Sequence, residues 1–180
     1  KKRDLVELLA RHEVPLIEDD VYSELYEGPA AALPAKAYDR RGLVLHCSSF
    51  SKCLAPGYRV GWAAPGRLSR QVERLKLMTS LSGSIPVQAA LAEYLQEGGY
   101  DRHLRSLRQS LQVQRDSLFE AVNRHFPDGT KVVRPAGGYF VWVELPVGVD
   151  AMALHRAALA QRISLAPGPM FSARAEFQHH

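Results

Sequence analysis

The segment Ser48-Ser49-Phe50-Ser51-Lys52 decides which fold and which chemistry this sequence predicts. It follows the apolar run 43–47, which is typical of a buried strand, and Arg59 comes seven residues after Lys52, at the start of a further predicted strand, 59–64. A lysine, several hydroxyls and an arginine therefore meet where the chain leaves one strand and enters the next. The amine can form an imine with an aldehyde, and a guanidinium donates pairs of hydrogen bonds to phosphate oxygens. The segment predicts a site for an aldehyde phosphate, for which pyridoxal 5'-phosphate is the obvious candidate.

A second motif lies upstream, at the end of the predicted strand 14–17. The segment Glu18-Asp19-Asp20-Val21-Tyr22 places acidic side chains where α/β sheets present their functional groups. A carboxylate there can keep the pyridine nitrogen of the cofactor protonated, and a phenol can donate to the ring oxygen. We assign these roles to Asp19 and Tyr22, because Asp19 alone of the three acidic residues has a tyrosine three residues later. Asp20 remains the alternative carboxylate.

These motifs, together with Leu54-Ala55-Pro56-Gly57-Tyr58-Arg59-Val60-Gly61-Trp62, resemble the cofactor site of fold-type I pyridoxal-phosphate enzymes, the aspartate aminotransferase superfamily. The resemblance implies an α/β fold in which Lys52 is the catalytic lysine and forms the internal aldimine with pyridoxal 5'-phosphate. It also implies a homodimer whose partner subunit completes the phosphate pocket near residues 80–86. No metal ligand is predicted. The implied cofactor-binding residues are Asp19, Tyr22, Ser49, Ser51, Lys52 and Arg59.

Three further segments narrow the resemblance within the superfamily. Residues 99–108, 137–146 and 166–172 resemble the aminotransferase-like half of MocR-type regulators, which are bacterial GntR-family transcription factors with an N-terminal winged helix-turn-helix. This implies an effector domain that binds pyridoxal phosphate and a small-molecule amine or amino acid. DNA would be contacted only through an N-terminal domain missing from these residues. A genuine class I or II aminotransferase acting on an amino acid is the alternative, and a relic fold that binds nothing is a third interpretation.

Hydrophobic periodicity predicts the elements around these motifs. Helices are expected over 1–10, 68–78, 87–96, 101–125 and 151–161, and further strands over 131–134, 139–145 and 163–166. The first helix has a predicted apolar face of Leu5, Leu8 and Leu9. We expect residues 1–98 to form the C-terminal part of the large cofactor-binding domain, and residues 99–180 to form a small, truncated C-terminal α+β domain.

Composition limits the remaining classes of function. The 180 residues are 46% hydrophobic, which is enough for a core, and no run of about 18 apolar residues predicts a membrane span. Cys47 and Cys53 have neither metal-site nor disulfide spacing, so we expect packing residues in a reducing cytoplasm. The net charge of +4 includes the arginines of the long predicted helix, Arg102, Arg105, Arg108 and Arg115. This spread is typical of a solvated helix face rather than of a nucleic-acid-binding surface.

Overall fold

A mixed sheet of three strands carries both predicted motifs. Strand β1 (Leu16–Asp19) pairs in parallel with β2 (Val44–Ser49), and β2 pairs antiparallel with β3 (Gly61–Ala64). All three overlap the strands predicted from the apolar runs, although β1 and β3 begin two residues later than predicted. The apolar run before each motif therefore forms a strand, and the motif follows at or beyond its end.

The computed structural model describes residues 1–26, 33–174 and 176–180. These residues divide into two compact units, Lys1–Ser110 and Leu111–His180. The division falls within the long helix α4 (Gly99–His125). The predicted boundary between a large and a small domain, after residue 98, remains a prediction. In the described ranges, no helix combines the length and the apolar character needed to cross a membrane, and no group of three or more His, Cys, Asp or Glu residues could hold a metal ion.

The core of the first unit joins the sheet to the first helix, α1 (Lys2–Arg11), and to a short 3₁₀ helix at Ala35–Tyr38. Its buried side chains are Val6, Ala35 and Val44, with Leu16 and Tyr38 packed against them. This cluster fixes the start of both parallel strands. The packed apolar layer thus anchors the amino-terminal ends of the two strands, and the motifs follow at their carboxyl ends.

The predicted apolar face of α1 is wrong in detail. Val6 is the buried side chain of this helix, whereas Leu5 and Leu8 are 45% and 48% exposed and Leu9 is half-buried. The sheet shows the same behaviour, because Ile17 in β1 is 71% exposed. Periodicity locates the apolar side chains, but it does not determine which of them meet a partner within this stretch of chain.

Two helices and the first turns of a third complete the first unit along the chain. Helices α2 (Ser69–Ser80) and α3 (Ile85–Gln96) and the long helix α4 confirm the helices predicted from the 3.6-residue period. In α4 the buried positions Leu104, Leu111 and Val122 follow that period. The first turns of α4 belong to the unit that contains the sheet, which matters for the site described below.

The second unit contains a small hairpin and one further helix. Strands β4 (Lys131–Val132) and β5 (Val143–Glu144) pair antiparallel, so the two predicted strands exist but are much shorter than expected. Helix α5 (Ala151–Ala160) confirms the last predicted helix, and the Asp150 carboxylate caps it by accepting the Ala153 N–H at 2.8 Å.

Two expectations for the second unit are wrong. Residues 163–166 are fully described and form no strand. The N–H groups of Leu145 and Gly168 donate to the carbonyls of His179 and His180 in the C-terminal segment. Arg115 is not on a solvated face: it is only 8% exposed and donates to the Gly138 carbonyl at 3.2 Å. A buried guanidinium needs such acceptors, because a charged group removed from water must be hydrogen-bonded.

Candidate cofactor site

Parallel pairing of β1 and β2 brings the two motifs to one edge of the sheet. Asp19 lies opposite Cys47 in the register, and the Asp20 N–H continues the ladder by donating to the Cys47 carbonyl at 2.9 Å. The carboxyl ends of both strands therefore point the same way, which is where α/β sheets bind their ligands. The segment after β1 and the lysine segment after β2 are neighbours for this reason.

Lys52 and Tyr22 meet at this edge. The Lys52 Nζ atom lies 5.8 Å from the centroid of the Tyr22 ring, a cation–π distance. The lysine is exposed and sits in a short helical turn, in which the Phe50 carbonyl accepts the N–H groups of Leu54 at 2.9 Å and Ala55 at 3.0 Å. Two residues predicted from separate motifs, 30 positions apart in the sequence, are thus brought together.

The predicted hydroxyls lie in the same turn as the lysine. Ser49 is the last residue of β2, and its Oγ accepts the Ser51 N–H at 3.4 Å. Both serines are half-buried. Side-chain hydroxyls and backbone N–H groups in a tight turn of this kind can bind phosphate oxygens.

Arg59 lies farther along, between this turn and β3. Its backbone is left-handed, with φ 53° and ψ 38°, a conformation that side-chain-bearing residues adopt infrequently. The side chain is exposed, and its guanidinium donates to the Pro56 carbonyl at 3.4 Å. The described contact of Arg59 is thus local, to Pro56 three residues away, whereas Ser49, Ser51 and Lys52 lie together at the end of β2 and in the turn that follows it.

The three acidic residues after β1 have different partners. The Glu18 carboxylate accepts the N–H groups of Ala35 at 2.7 Å and Lys36 at 3.1 Å. Burial raises the pKa of Glu18, but these hydrogen bonds lower it more, so its pKa lies below the ordinary value. Asp20 faces His46, with Oδ2 and Nε2 3.1 Å apart. Asp19 is exposed and makes a long local contact, 3.4 Å from the Val21 N–H.

The sequence matches a known family along almost its whole length. The model of the family described as aminotransferase class I and II matches residues 1–177. The chain belongs to this family. The expected fold-type I α/β fold is confirmed by solved aminotransferases. One is the α-aminoadipate aminotransferase LysN of Thermus thermophilus, complexed with N-(5'-phosphopyridoxyl)-L-leucine, with a TM-score of 0.87 and 30% identity over 99% of this chain and 46% of that one.

The curated relatives of this aminotransferase-family chain include both regulators and enzymes. It is 53% identical over 172 residues to the HTH-type transcriptional regulator YdcR of Escherichia coli K12, which covers 96% of this chain and 37% of that protein. It is 32% identical over 180 residues to aromatic-amino-acid aminotransferase 1 of Thermococcus litoralis, with coverage of 99% and 43%. The chain thus spans less than half the length of either relative. The resemblance to the aminotransferase-like part of transcriptional regulators is confirmed.

Residues that the motifs did not indicate also lie at the candidate site. The His46 ring meets Trp62 edge-on, with 5.1 Å between centroids, and this pair lies beside Asp20. The sequence places His46 and Ser48 on the same face of β2, because residues two apart on a strand point the same way. The pairing of Ser48 with Trp62 in the sheet then brings Trp62 close to His46. No local pattern indicates Tyr100 and His103, which contact the lysine turn from α4, 47 and 50 residues away in sequence.

Cys53 behaves as the predicted packing residue. It is 2% exposed, and burial raises the pKa of its thiol, with smaller opposing effects from its hydrogen bonds. Cys47, on β2, is half-buried. In this aminotransferase-family chain, the residue directly after the candidate lysine is therefore an inert anchor in the interior, while Lys52 itself is exposed.

Proposed function

We propose that this chain is the pyridoxal-phosphate-binding, aminotransferase-like effector domain of a GntR/MocR-type transcriptional regulator. Lys52 would hold the cofactor covalently through its amine. The observation that carries the proposal is the approach of Lys52 Nζ to the Tyr22 ring, 5.8 Å from its centroid, at the carboxyl ends of parallel strands.

The donor set at this edge fits pyridoxal phosphate in its chemistry. The group carries an aldehyde, a ring oxygen, a pyridine nitrogen and a phosphate, and when bound it supplies a ring that withdraws electrons from the carbon beside the amine. Lys52 offers the amine and Tyr22 the phenol, both at the edge that also carries Asp19. Ser49 and Ser51 would bind phosphate oxygens from the same turn.

Asp19 would hold the proton on the pyridine nitrogen. In the described contacts, the Glu18 carboxylate binds the Lys2 ammonium and the N-terminus of a 3₁₀ helix, and the Asp20 carboxylate contacts the His46 imidazole. The Asp19 carboxylate has no such partner among these contacts. A carboxylate that is to bind a ligand must have acceptor capacity left. Arg59 would add a guanidinium toward the phosphate.

The sequence identity to YdcR is 53%, compared with 32% to the Thermococcus litoralis aminotransferase, and this difference favours a regulator over an enzyme. In a regulator, a small-molecule amine or amino acid would displace Lys52, and the resulting change would be passed to a DNA-binding domain in another part of the protein. In the alternative, a genuine aminotransferase, the freed Lys52 amine would move the proton of the substrate α-carbon. Either protein would act as a cytoplasmic homodimer.

Covalent trapping tests the attachment. The complete protein is incubated with pyridoxal phosphate, reduced with borohydride and analysed by peptide mass spectrometry. We expect the added mass on the Lys52 peptide in the wild type and its loss in Lys52→Ala. Lys76→Ala, which removes an exposed lysine from α2, is the matched control and should trap normally. Equal trapping in Lys52→Ala and wild type contradicts the assignment.

The regulator and the enzyme are separated by turnover. A regulator should change its affinity for its own promoter DNA when an amine ligand is added, without converting the ligand in repeated cycles. An aminotransferase should release a keto acid through many turnovers and show no such change. Multiple turnover without any effect on DNA affinity would favour the alternative.

A further inference from the structure

The first three turns of α4 contact both segments of the candidate site. Tyr100 and His103 reach Cys53, the residue after Lys52. Farther along the same helix, Arg108 donates from Nε to the Glu24 carbonyl at 2.7 Å, two residues after Tyr22. Tyr100 and His103 share a face of the helix, since they are three positions apart. One helix therefore touches both the lysine turn and the tyrosine turn.

Tyr100 holds the Cys53 side chain. Its hydroxyl donates to Cys53 Sγ at 3.0 Å, and the thiol in turn lies 3.6 Å from the Ser49 carbonyl. The Tyr100 ring also meets Phe50 edge-on, with 5.7 Å between centroids. Burial and the neighbouring Cys53 raise the pKa of Tyr100 well above its ordinary value, so the hydroxyl keeps the proton that it donates.

His103 holds the backbone of the same residue. Its Nε2 atom lies 2.9 Å from the Cys53 carbonyl oxygen. A carbonyl oxygen can only accept, so Nε2 must carry the proton. The lysine turn wraps around the Phe50 carbonyl and leaves the Cys53 carbonyl to an outside donor, which His103 supplies.

We propose that Tyr100 and His103 are positioning residues for Lys52, which act by fixing Cys53 in the interior so that the preceding side chain is presented outward at the Tyr22 ring. This inference rests on the proposed function of Lys52. The physical basis is the contrast in burial between two adjacent residues. Cys53 is 2% exposed and is hydrogen-bonded at both its side chain and its carbonyl, whereas Lys52 is exposed. Freeing Cys53 would let the turn rotate and would lower the effective concentration of the amine at the reacting carbon.

Substitutions at His103 test this with a rescue. His103→Leu removes the donor, whereas His103→Gln keeps an N–H donor at nearly the reach of Nε2, and His103→Asn stops short of it. In the complete protein with saturating pyridoxal phosphate, the rate at which an added amino acid displaces Lys52 is followed by visible absorption. We expect a fall of about tenfold for Leu and Asn, which corresponds to losing one hydrogen bond of about 1.4 kcal/mol, and near wild-type behaviour for Gln.

Two readouts distinguish positioning from general damage. The urea midpoint of the cofactor-free protein reports stability, and the yield of borohydride trapping at Lys52 reports attachment. Tyr100→Phe keeps the ring contact with Phe50 and removes the hydroxyl alone, so it remains informative if His103→Leu does not fold. Matched controls are His125→Leu at the exposed end of the same helix and Tyr94→Phe on α3, both expected to behave as wild type.

The expected pattern is slower displacement and lower trapping in His103→Leu and Tyr100→Phe, with recovery in His103→Gln. Wild-type displacement rates in His103→Leu and Tyr100→Phe, while Lys52→Ala loses trapping, would overturn the positioning role and leave the proposed function intact. Undiminished trapping in Lys52→Ala would overturn the proposed function and this inference with it. Slower displacement that His103→Gln does not restore would also overturn the role assigned to the His103 hydrogen bond.

Discussion

The Nε2 atom of His46 and the Oδ2 atom of Asp20 lie 3.1 Å apart, with side chains that are 12% and 20% exposed. The Asp20 carbonyl also accepts the hydroxyls of Ser48 at 3.1 Å and Ser23 at 3.0 Å. Asp20 therefore ties the end of β1 to β2 and to the turn that carries Tyr22. Its neighbour Asp19 makes no comparable set of contacts among the described residues.

This difference predicts that removing the Asp19 charge affects the reaction of the cofactor, whereas removing the Asp20 charge affects the stability of the fold. Asp19→Asn should leave folding nearly unchanged and slow the reaction of bound cofactor with amino acids by about tenfold or more, because the ring loses the anion that holds its proton. Asp20→Asn should lower the free energy of unfolding by about 1–3 kcal/mol through the weakened His46 contact. Rapid-mixing absorption and urea unfolding measure the two quantities. The reverse pattern would show that Asp20 is the cofactor carboxylate.

The left-handed backbone of Arg59 allows its charge to be tested apart from its conformation. Arg59→Gly removes the guanidinium at a position where glycine has no steric cost, so the free energy of unfolding without cofactor should stay within about 1 kcal/mol of wild type. Affinity for pyridoxal phosphate should fall at least about tenfold, since a charge-assisted hydrogen bond contributes about 1.5–3 kcal/mol. Arg59→Lys should fall in between. Unchanged affinity in Arg59→Gly would exclude Arg59 from the phosphate site.

Two glycines near the lysine turn form a matched pair. A Cβ on Gly61 would lie 2.8 Å from the Ser48 carbonyl oxygen and 3.1 Å from Ser49 Cβ, whereas a Cβ on Gly57 would meet nothing within 4 Å. Gly61→Ala should therefore push β3 away from β2 and cost about 1–3 kcal/mol of unfolding free energy, with weaker cofactor binding. Gly57→Ala should change either quantity little. Urea titration and cofactor titration compare them, and equal effects would contradict the close approach at Gly61.

Asp39 should control acid stability of the first unit. Burial raises the pKa of this carboxyl, but hydrogen bonds from the Val44 N–H, the Lys36 ammonium and the Leu43 N–H outweigh burial and lower the pKa to about 2. The folded pKa lies below the unfolded value near 3.9, so the stabilisation is complete above about pH 4 and is lost as the pH falls through 2, about 2 kcal/mol in all.

The measurement for Asp39 is the free energy of unfolding in urea as a function of pH. Asp39→Asn should be less stable than wild type by about 2 kcal/mol at neutral pH, and the difference should shrink between about pH 4 and 2. Asp4→Asn, on the exposed face of α1, serves as the control substitution. A difference that is constant over this range would show that the charge of Asp39 does not contribute.

The sequence was most informative where function depends on local spacing. Lys52 and the serines share one turn, and the order of strand, motif and strand is enough to bring Tyr22 near the lysine once β1 and β2 pair in parallel. Helices α2 to α5 follow from their 3.6-residue period. These features depend on neighbours in sequence or on a pairing rule with few alternatives.

Burial and long-range contacts could not be predicted in the same way. The apolar pattern of α1 suggested Leu5 and Leu8 as the packed face, but packing against Ala35 and Val44 selected Val6. The residues 163–166 have strand propensity but no strand partner among the described residues. His103 meets Cys53 across 50 positions, and no pattern within α4 distinguishes this histidine from His125.

The placement of the tryptophans gives each unit its own optical signal. The chain has two: Trp62 lies in β3 against His46, in the first unit, and Trp142 stacks on His180 in the second, with 5.3 Å between ring centroids. In a Trp142→Phe variant, all the indole emission of these 180 residues arises from Trp62, beside the strand that leads to Lys52. A bound aromatic aldehyde that absorbs in the emission range would quench this emission by energy transfer. The reciprocal variant, Trp62→Phe, reports the second unit alone. Cofactor loading and unfolding of the second unit can thus be followed by intrinsic fluorescence, without an added label.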